Sequence, residues 1–250
     1  MPHVLFDNSH GENIRLEEEG GSSFSKLARA LRAEGFVLGV IHSEDDFRLP
    51  TLKNAEALVI AFPSKKFSNR DVEAALGYVE AGGGLLLTGE WGNLHGTADI
   101  LNTLAQSFRV VFNKDRITDT RNVHEEEVRL MGQSVGRRRE PTYAIIRRFA
   151  RHPITVDVRE VGHISGCSLS APKSAVLAWS DEQSFADLDA DGELDEDELV
   201  GSFATAVSQH VSGGRVVCIG DTSVMTDRYL DHADNKKFIL NIIRWLTRRI

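Results

Sequence analysis

The first half of the chain alternates short apolar runs with stretches of helical spacing, and few architectures tolerate that pattern. "HVLFDN" from His3, "FVLGVIHS" from Phe36, "ALVIAFPS" from Ala57 and "GLLLTGEWG" from Gly84 read as strands. Between them, "SFSKLARALRAEG" reads as a helix closed by Gly35. "FSNRDVEAALGYVEAGGG" reads as another, with Val72, Ala75, Leu76 and Val79 on one face, Ser68 and Asp71 as a capping box, and Gly82 to Gly84 as its stop. Strand, helix and strand in succession imply crossover units around a mostly parallel sheet. Strands as continuously apolar as "LLL" are covered on both faces. The expectation is a single three-layer α/β domain over residues 1–250, and 250 residues that are 41% hydrophobic suffice for one core.

Later segments are less uniform. Residues 110–165 mix strand-like pieces ("RVVFN", "ITVDV") with the charged "NVHEEEVRL" and with "GRRRE", read as a solvated loop. Strands return at "SAVLAWS" and in "FATAVSQHVSGGRVVCIGD", whose halves are joined by a Gly-Gly turn. A last helix is expected from about Ala233 to Arg248, with Ile239, Ile242, Ile243 and Leu246 on one face.

One motif stands apart. "DLDADGELDEDE", residues 187–198, carries acids at the first, third, fifth, ninth and twelfth positions, with glycine at the sixth and leucine at the eighth. That is the order of an EF-hand-type calcium loop. Calcium takes six to eight oxygens, and such a loop supplies them from alternating side chains, one carbonyl and a closing bidentate carboxylate. The ligands would be Asp187, Asp189, Asp191, the Glu193 carbonyl, Asp195 and Glu198, with Gly192 allowing the turn and Leu194 anchoring the loop to the core. The flanks read as strands rather than helices, so the expected role of Ca2+ is structural, ordering a loop inserted between two strands. A merely solvated acidic loop is the alternative.

Charge supports a local role. The chain has 37 acids and 29 bases, so without the loop's eight acids it would be balanced. Nucleic-acid binding is not expected, because phosphate neutralisation needs a basic face. Neither a secretory signal nor a membrane span is expected, and two cysteines do not make a disulfide framework, so the expected compartment is the cytoplasm.

In open α/β sheets ligands bind in the crevice at the carboxyl ends of the strands. The polar residues falling there are Asp7, His10 and Glu12 after the first strand, Glu90 and Trp91 after "LLLTG", and Asp221 and Ser223 after "VVCIG". The alternative is ordinary loop polarity and turn capping.

At these residues a resemblance appears. "VLFDNSHGE", "YVEAGGGLLLTG" and "GRVVCIGDTSVMTDRYLDHADNKKFILNIIRWL" resemble the class I glutamine amidotransferase-like domains of uncharacterised bacterial proteins, gliding-motility auxiliary proteins and an intraflagellar transport subunit. The resemblance implies a flavodoxin-like three-layer fold, and it leaves the middle of the chain unmatched. Amidotransferases of this superfamily place a nucleophilic cysteine after such a strand, activated by a late histidine and glutamate. Residues 82–93 hold neither cysteine nor serine, and Trp91 stands where the nucleophile would project. Glutaminase chemistry is therefore not expected, and Cys167, near His163 in sequence, reads as a structural thiol.

The leading reading is a non-catalytic domain that binds a small ligand or a protein partner and carries a structural calcium ion. The rival is a hydrolase or other enzyme using Asp7, His10, Glu12, Glu90, His95 and Asp221, with or without a second metal. Trehalose-utilisation-type proteins of the same superfamily would make the ligand a sugar, with Trp91 as a stacking platform.

Overall fold

The structure, a computed structural model, describes residues 1–16, 20–130 and 133–250. In chain order its elements are β1 (His3–Asp7), α1 (Ser25–Ala33), β2 (Val37–Ile41), α2 (Leu49–Leu52), β3 (Ala57–Ala61), α3 (Asn69–Glu80), β4 (Gly84–Thr88) and α4 (Thr97–Ala105). There follow β5 (Val111–Phe112), β6 (Arg116–Thr118), β7 (Val123–Leu130), β8 (Gln133–Ile146), β9 (Arg148–Phe149), β10 (Val161–Ile164) and β11 (Leu169–Ser170). The chain closes with β12 (Val176–Trp179), β13 (Phe185–Asp187), β14 (Ala204–Val211), β15 (Gly214–Ile219) and α5 (Asn235–Leu246).

The central sheet runs β2-β1-β3-β4-β15-β14-β11-β5, with β12 and β9 attached through β14. Its first five strands are parallel; β14, β11 and β5 then follow antiparallel. Alternation along each strand sends side chains to two cores. Phe6, Val59, Leu86, Val217 and Ile219 pack against α1 and α5. Leu58, Ile60, Leu85, Leu87 and Cys218 pack against α2, α3 and α4. The result is a mixed α/β fold with a largely parallel central sheet.

Local chemistry sets the helix ends. Ser68 caps α3: Asp71 N bonds the Ser68 hydroxyl at 3.3 Å and Ser68 N returns to Asp71 Oδ2 at 2.9 Å. At the other end Gly82 takes φ +103°, and Gly83 lies under the Tyr78 ring with no room for a side chain. Helix α5 spans Asn235–Leu246, one turn shorter overall than the span expected from the sequence.

Two expectations for the middle segment are corrected. "GRRRE" is not a loop: residues 136–140 lie in β8, which pairs with β7 and β10 in a separate antiparallel sheet. Arg137 and Arg139 there reach Glu125 across the ladder, and alternating opposite charges suit a two-sided solvated strand. "ITVDV" is not a strand, because Pro153–Thr155 forms a single tight turn stapled by the Thr155 hydroxyl to the Ala150 carbonyl. The β14–β15 turn is Ser212–Gly213, with Gly214 already paired to Val211.

Candidate functional site

The acidic loop leaves the end of β13, which pairs with β6, and its far end returns alongside as Ala186 N donates to Leu199 O and Gly201 N to Ser184 O. Asp187 is fully buried; its Oδ2 accepts from Arg116 Nη2 at 2.5 Å and Gly192 N at 3.1 Å, while its Oδ1 has no partner. The next acids close local turns, Asp189 Oδ1 accepting from Asp191 N and Asp191 Oδ1 from Glu193 N. One carboxylate oxygen from each of Asp187, Asp189 and Asp191 lies within 4.8 Å of the others. Glu193 and Asp195 are exposed, and the Asp195 carboxyl is raised by desolvation and then by Asp191, Asp189 and Glu198. Glu198 ties the loop shut, Oε1 accepting from Leu188 N at 2.6 Å and Oε2 from Asp195 N at 3.2 Å. Leu194 does not anchor the loop; it is 53% exposed, because the closing bonds run through Glu198 and leave residues 193–197 outermost.

The strand-end residues divide into two groups. Asp7 alternates with Phe6 and so faces the α3 side. There Asp7 Oδ2 meets His10 Nδ1 at 2.6 Å, and the His10 ring packs against Phe47 and Phe67 with centroids 4.8 and 4.2 Å away. His10 Nε2 faces Asp71 Oδ2 at 3.5 Å, joining this group to the first turn of α3. Burial pulls the imidazole down, yet Asp7 and Asp71 outweigh it and the net shift is upward. Glu12 lies beside Asp7, and burial followed by that neighbouring charge pushes its carboxyl up to about 9.

The second group gathers beyond the ends of β4 and β15. Asp221 Oδ2 accepts from Ile164 N at 2.6 Å and its Oδ1 from Ser223 N at 2.7 Å, with the carboxyl pushed up to about 7 by burial. Glu90 stands well above the usual range, from burial and then from Asp221, and the Ser223 hydroxyl reaches its Oε1 at 3.4 Å. His163 and Cys167 lie here too. Burial holds His163 down at about 4, and its Nε2 has no partner. Cys167 and Cys218 are buried free thiols, both raised by burial, Cys167 further by Asp115 and Glu90. Sequence spacing offered no route to His163 as a neighbour of Asp221, since it comes from the irregular middle of the chain.

After β4 the backbone is strained. Gly92, Asn93, His95 and Gly96 all have φ between 53° and 78°, and for Asn93 and His95 that region is costly. Asn93 is held by two bonds with Asp99. Trp91 is half-buried, with the Arg116 guanidinium carbon 5.7 Å from its ring centroid. The turn after β4 is therefore a sharp one, and residues 89–96 hold neither cysteine nor serine.

The fold is shared with solved structures of low sequence identity, among them an IFT52 domain and a ThuA-like protein. The N-terminal domain of mmIFT52 superposes with a TM-score of 0.69 at 17% identity, covering 98% of this chain and 97% of that one. A ThuA-like protein of Bacteroides uniformis gives 0.56 at 13% identity, covering 98% and 91%. By sequence, an uncharacterized protein of Aquifex aeolicus (strain VF5) is 24% identical over 225 residues, 88% of this chain and 85% of its own length. Residues 20–243 match the family described as "Domain of unknown function (DUF4350)", and the chain belongs to that family.

Proposed function

We propose that the chain is a non-catalytic binding domain of three-layer, flavodoxin-like form, for a small ligand or a protein partner, whose loop 187–198 holds one structural calcium ion. The observation that carries the calcium reading is Asp187: its Oδ1 is buried with no hydrogen-bond partner, and a carboxylate oxygen of the residue lies within 4.8 Å of oxygens of Asp189 and Asp191. A buried unpartnered carboxylate oxygen is costly, and a cation removes that cost. The donors are all oxygens, which suits a hard ion of calcium's size. The non-catalytic part rests on the segment after β4, which lacks a nucleophile, and on two thiols that burial keeps protonated. Free buried thiols also fit a cytoplasmic setting. Calorimetric titration of metal-stripped protein with calcium tests the reading: one equivalent bound supports it, and no heat up to millimolar calcium overturns it.

A second reading, a hydrolase acting on a sugar, draws on Glu90 and Asp221. Two adjacent carboxyls with raised proton affinity are what acid catalysis requires, and half-buried Trp91 offers a stacking face. Hydrolysis of a nitrophenyl glycoside that is lost in Glu90→Gln would favour this reading over the first.

A further inference from the structure

We propose that Asp7, His10 and Glu12 form a binding site for one divalent transition-metal ion of the zinc class, with Asp71 as the positioning residue for the histidine. Three ligand-bearing side chains fall within six residues because β1 ends at Asp7 and the chain turns at once; Gly11, at φ +69°, supplies the bend. One ligand atom from each lies within 4.8 Å of the other two, and all three side chains are buried.

The surrounding contacts single out one candidate ligand atom on each residue, that of His10 being Nδ1, which also has the Ser9 hydroxyl at 3.1 Å. Asp7 Oδ1 is held by Ser9 N at 3.0 Å and by the Ser9 hydroxyl at 2.6 Å, which leaves Oδ2. Glu12 Oε2 accepts from His10 N at 3.0 Å, while Glu12 Oε1 is buried without any partner. His10 turns Nε2 toward Asp71, so that a proton on Nε2 leaves the Nδ1 lone pair for a metal. A histidine oriented by a carboxylate on its far nitrogen is the usual outer arrangement of a metal-bound imidazole.

The carboxyl groups of Asp7, Glu12 and Asp71 meet at a place walled by Phe47 and Phe67, and a divalent ion binds there by displacing protons that the metal-free cluster holds. One nitrogen and two carboxylate oxygens favour an ion of the zinc type over calcium. Without the ion, Asp7 Oδ2 and His10 Nδ1 bond directly at 2.6 Å. Ligands on a common four-coordinate ion stand about 3.3 Å apart for bonds of ~2.0–2.1 Å, so entry of the ion opens this contact by under ~1 Å and releases the shared proton.

The test uses the full chain, stripped of metal, with cobalt(II) as an optical probe and zinc as competitor. One equivalent of cobalt should give visible ligand-field bands that zinc abolishes. Asp189→Asn, on the separate acidic loop, should leave the bands intact. Glu12→Gln keeps the acceptor for His10 N and removes the charge, so it should abolish them while the metal-free variant melts no lower than the parent. Asp71→Asn should weaken zinc binding about 10- to 100-fold and shift the cobalt spectrum. Absence of cobalt bands, or bands that survive Glu12→Gln, or bands lost in Asp189→Asn, would each overturn the assignment.

Discussion

Arg116 donates from Nη2 to Asp187 Oδ2 at 2.5 Å, so the first acid of the loop is already engaged by a cation. The same guanidinium lies over Trp91, and one arginine therefore bridges the acidic loop and the turn after β4.

That bridge makes Trp91 a reporter. Calcium drawn to Asp187 competes electrostatically with Arg116, and a unit charge at about 4 Å is worth ~1 kcal/mol even in water. Arg116→Gln should therefore tighten calcium roughly fivefold. Titration of the parent should change its tryptophan emission, and Trp91→Phe should remove that change although Trp179 and Trp245 remain. An emission change that persists in Trp91→Phe would show that Arg116 does not move.

Calcium should also stabilise the protein. A ligand that binds only the folded state adds about 2.7 kcal/mol at a hundredfold excess over its dissociation constant, seen as a rise in melting temperature that chelation reverses. Asp189→Asn, on an exposed residue, should abolish the rise and leave the chelated protein's melting point unchanged. Asp187→Ala should destabilise the protein even in chelator, by about 3–5 kcal/mol in chemical denaturation, because Arg116 loses its buried partner.

The Glu90–Asp221 pair predicts the pH response. Both carboxyls bind protons more tightly folded than unfolded, so their contribution is complete below their ordinary values near 4. It is lost as pH rises through about 7, the Asp221 value. Urea unfolding should therefore show stability falling across that interval. Glu90→Gln should flatten the fall and make the protein more stable than the parent at about pH 8, because the neutral amide carries no charge to bury. A profile steeper than the parent's would contradict this account.

Gly220 is required for lack of space. A Cβ there would sit 1.9 Å from the Cys167 carbonyl oxygen and 3.2 Å from His163 Cε1. Gly220→Ala should cost at least 1–3 kcal/mol by chemical denaturation and raise the reactivity of Cys167 toward a thiol reagent.

The parallel half of the fold was legible because its signals are local: continuous apolar strands, and the Ser68–Asp71 box that closes as its spacing requires. The middle was not. β7 and β8 carry Glu125 opposite Arg139, a two-sided polar pairing without the alternation that marks a half-buried strand. "ITVDV" has strand composition, yet the turn at Pro153–Thr155 overrides it through tertiary bonds to Asn241. The strand-end polar residues were legible as a set, but their division into two groups depends on where each strand stops. Glu90 and Asp221 pass just beyond β4 and β15, whereas Asp7 is still within β1.

The strand order carries a cost in time. β15 pairs in register with β4, Val217 beside Leu86, yet nearly all of the intervening chain separates them in sequence. During synthesis β1 to β4 emerge before β15, and the inner edge of β4 stays unpaired until Gly214–Ile219 have been made. A pairing so distant closes slowly, and an apolar strand edge left open meanwhile is exposed to intermolecular pairing. A ribosome stalled before Gly214 would present such an edge, making that interval the most aggregation-prone in the life of the chain.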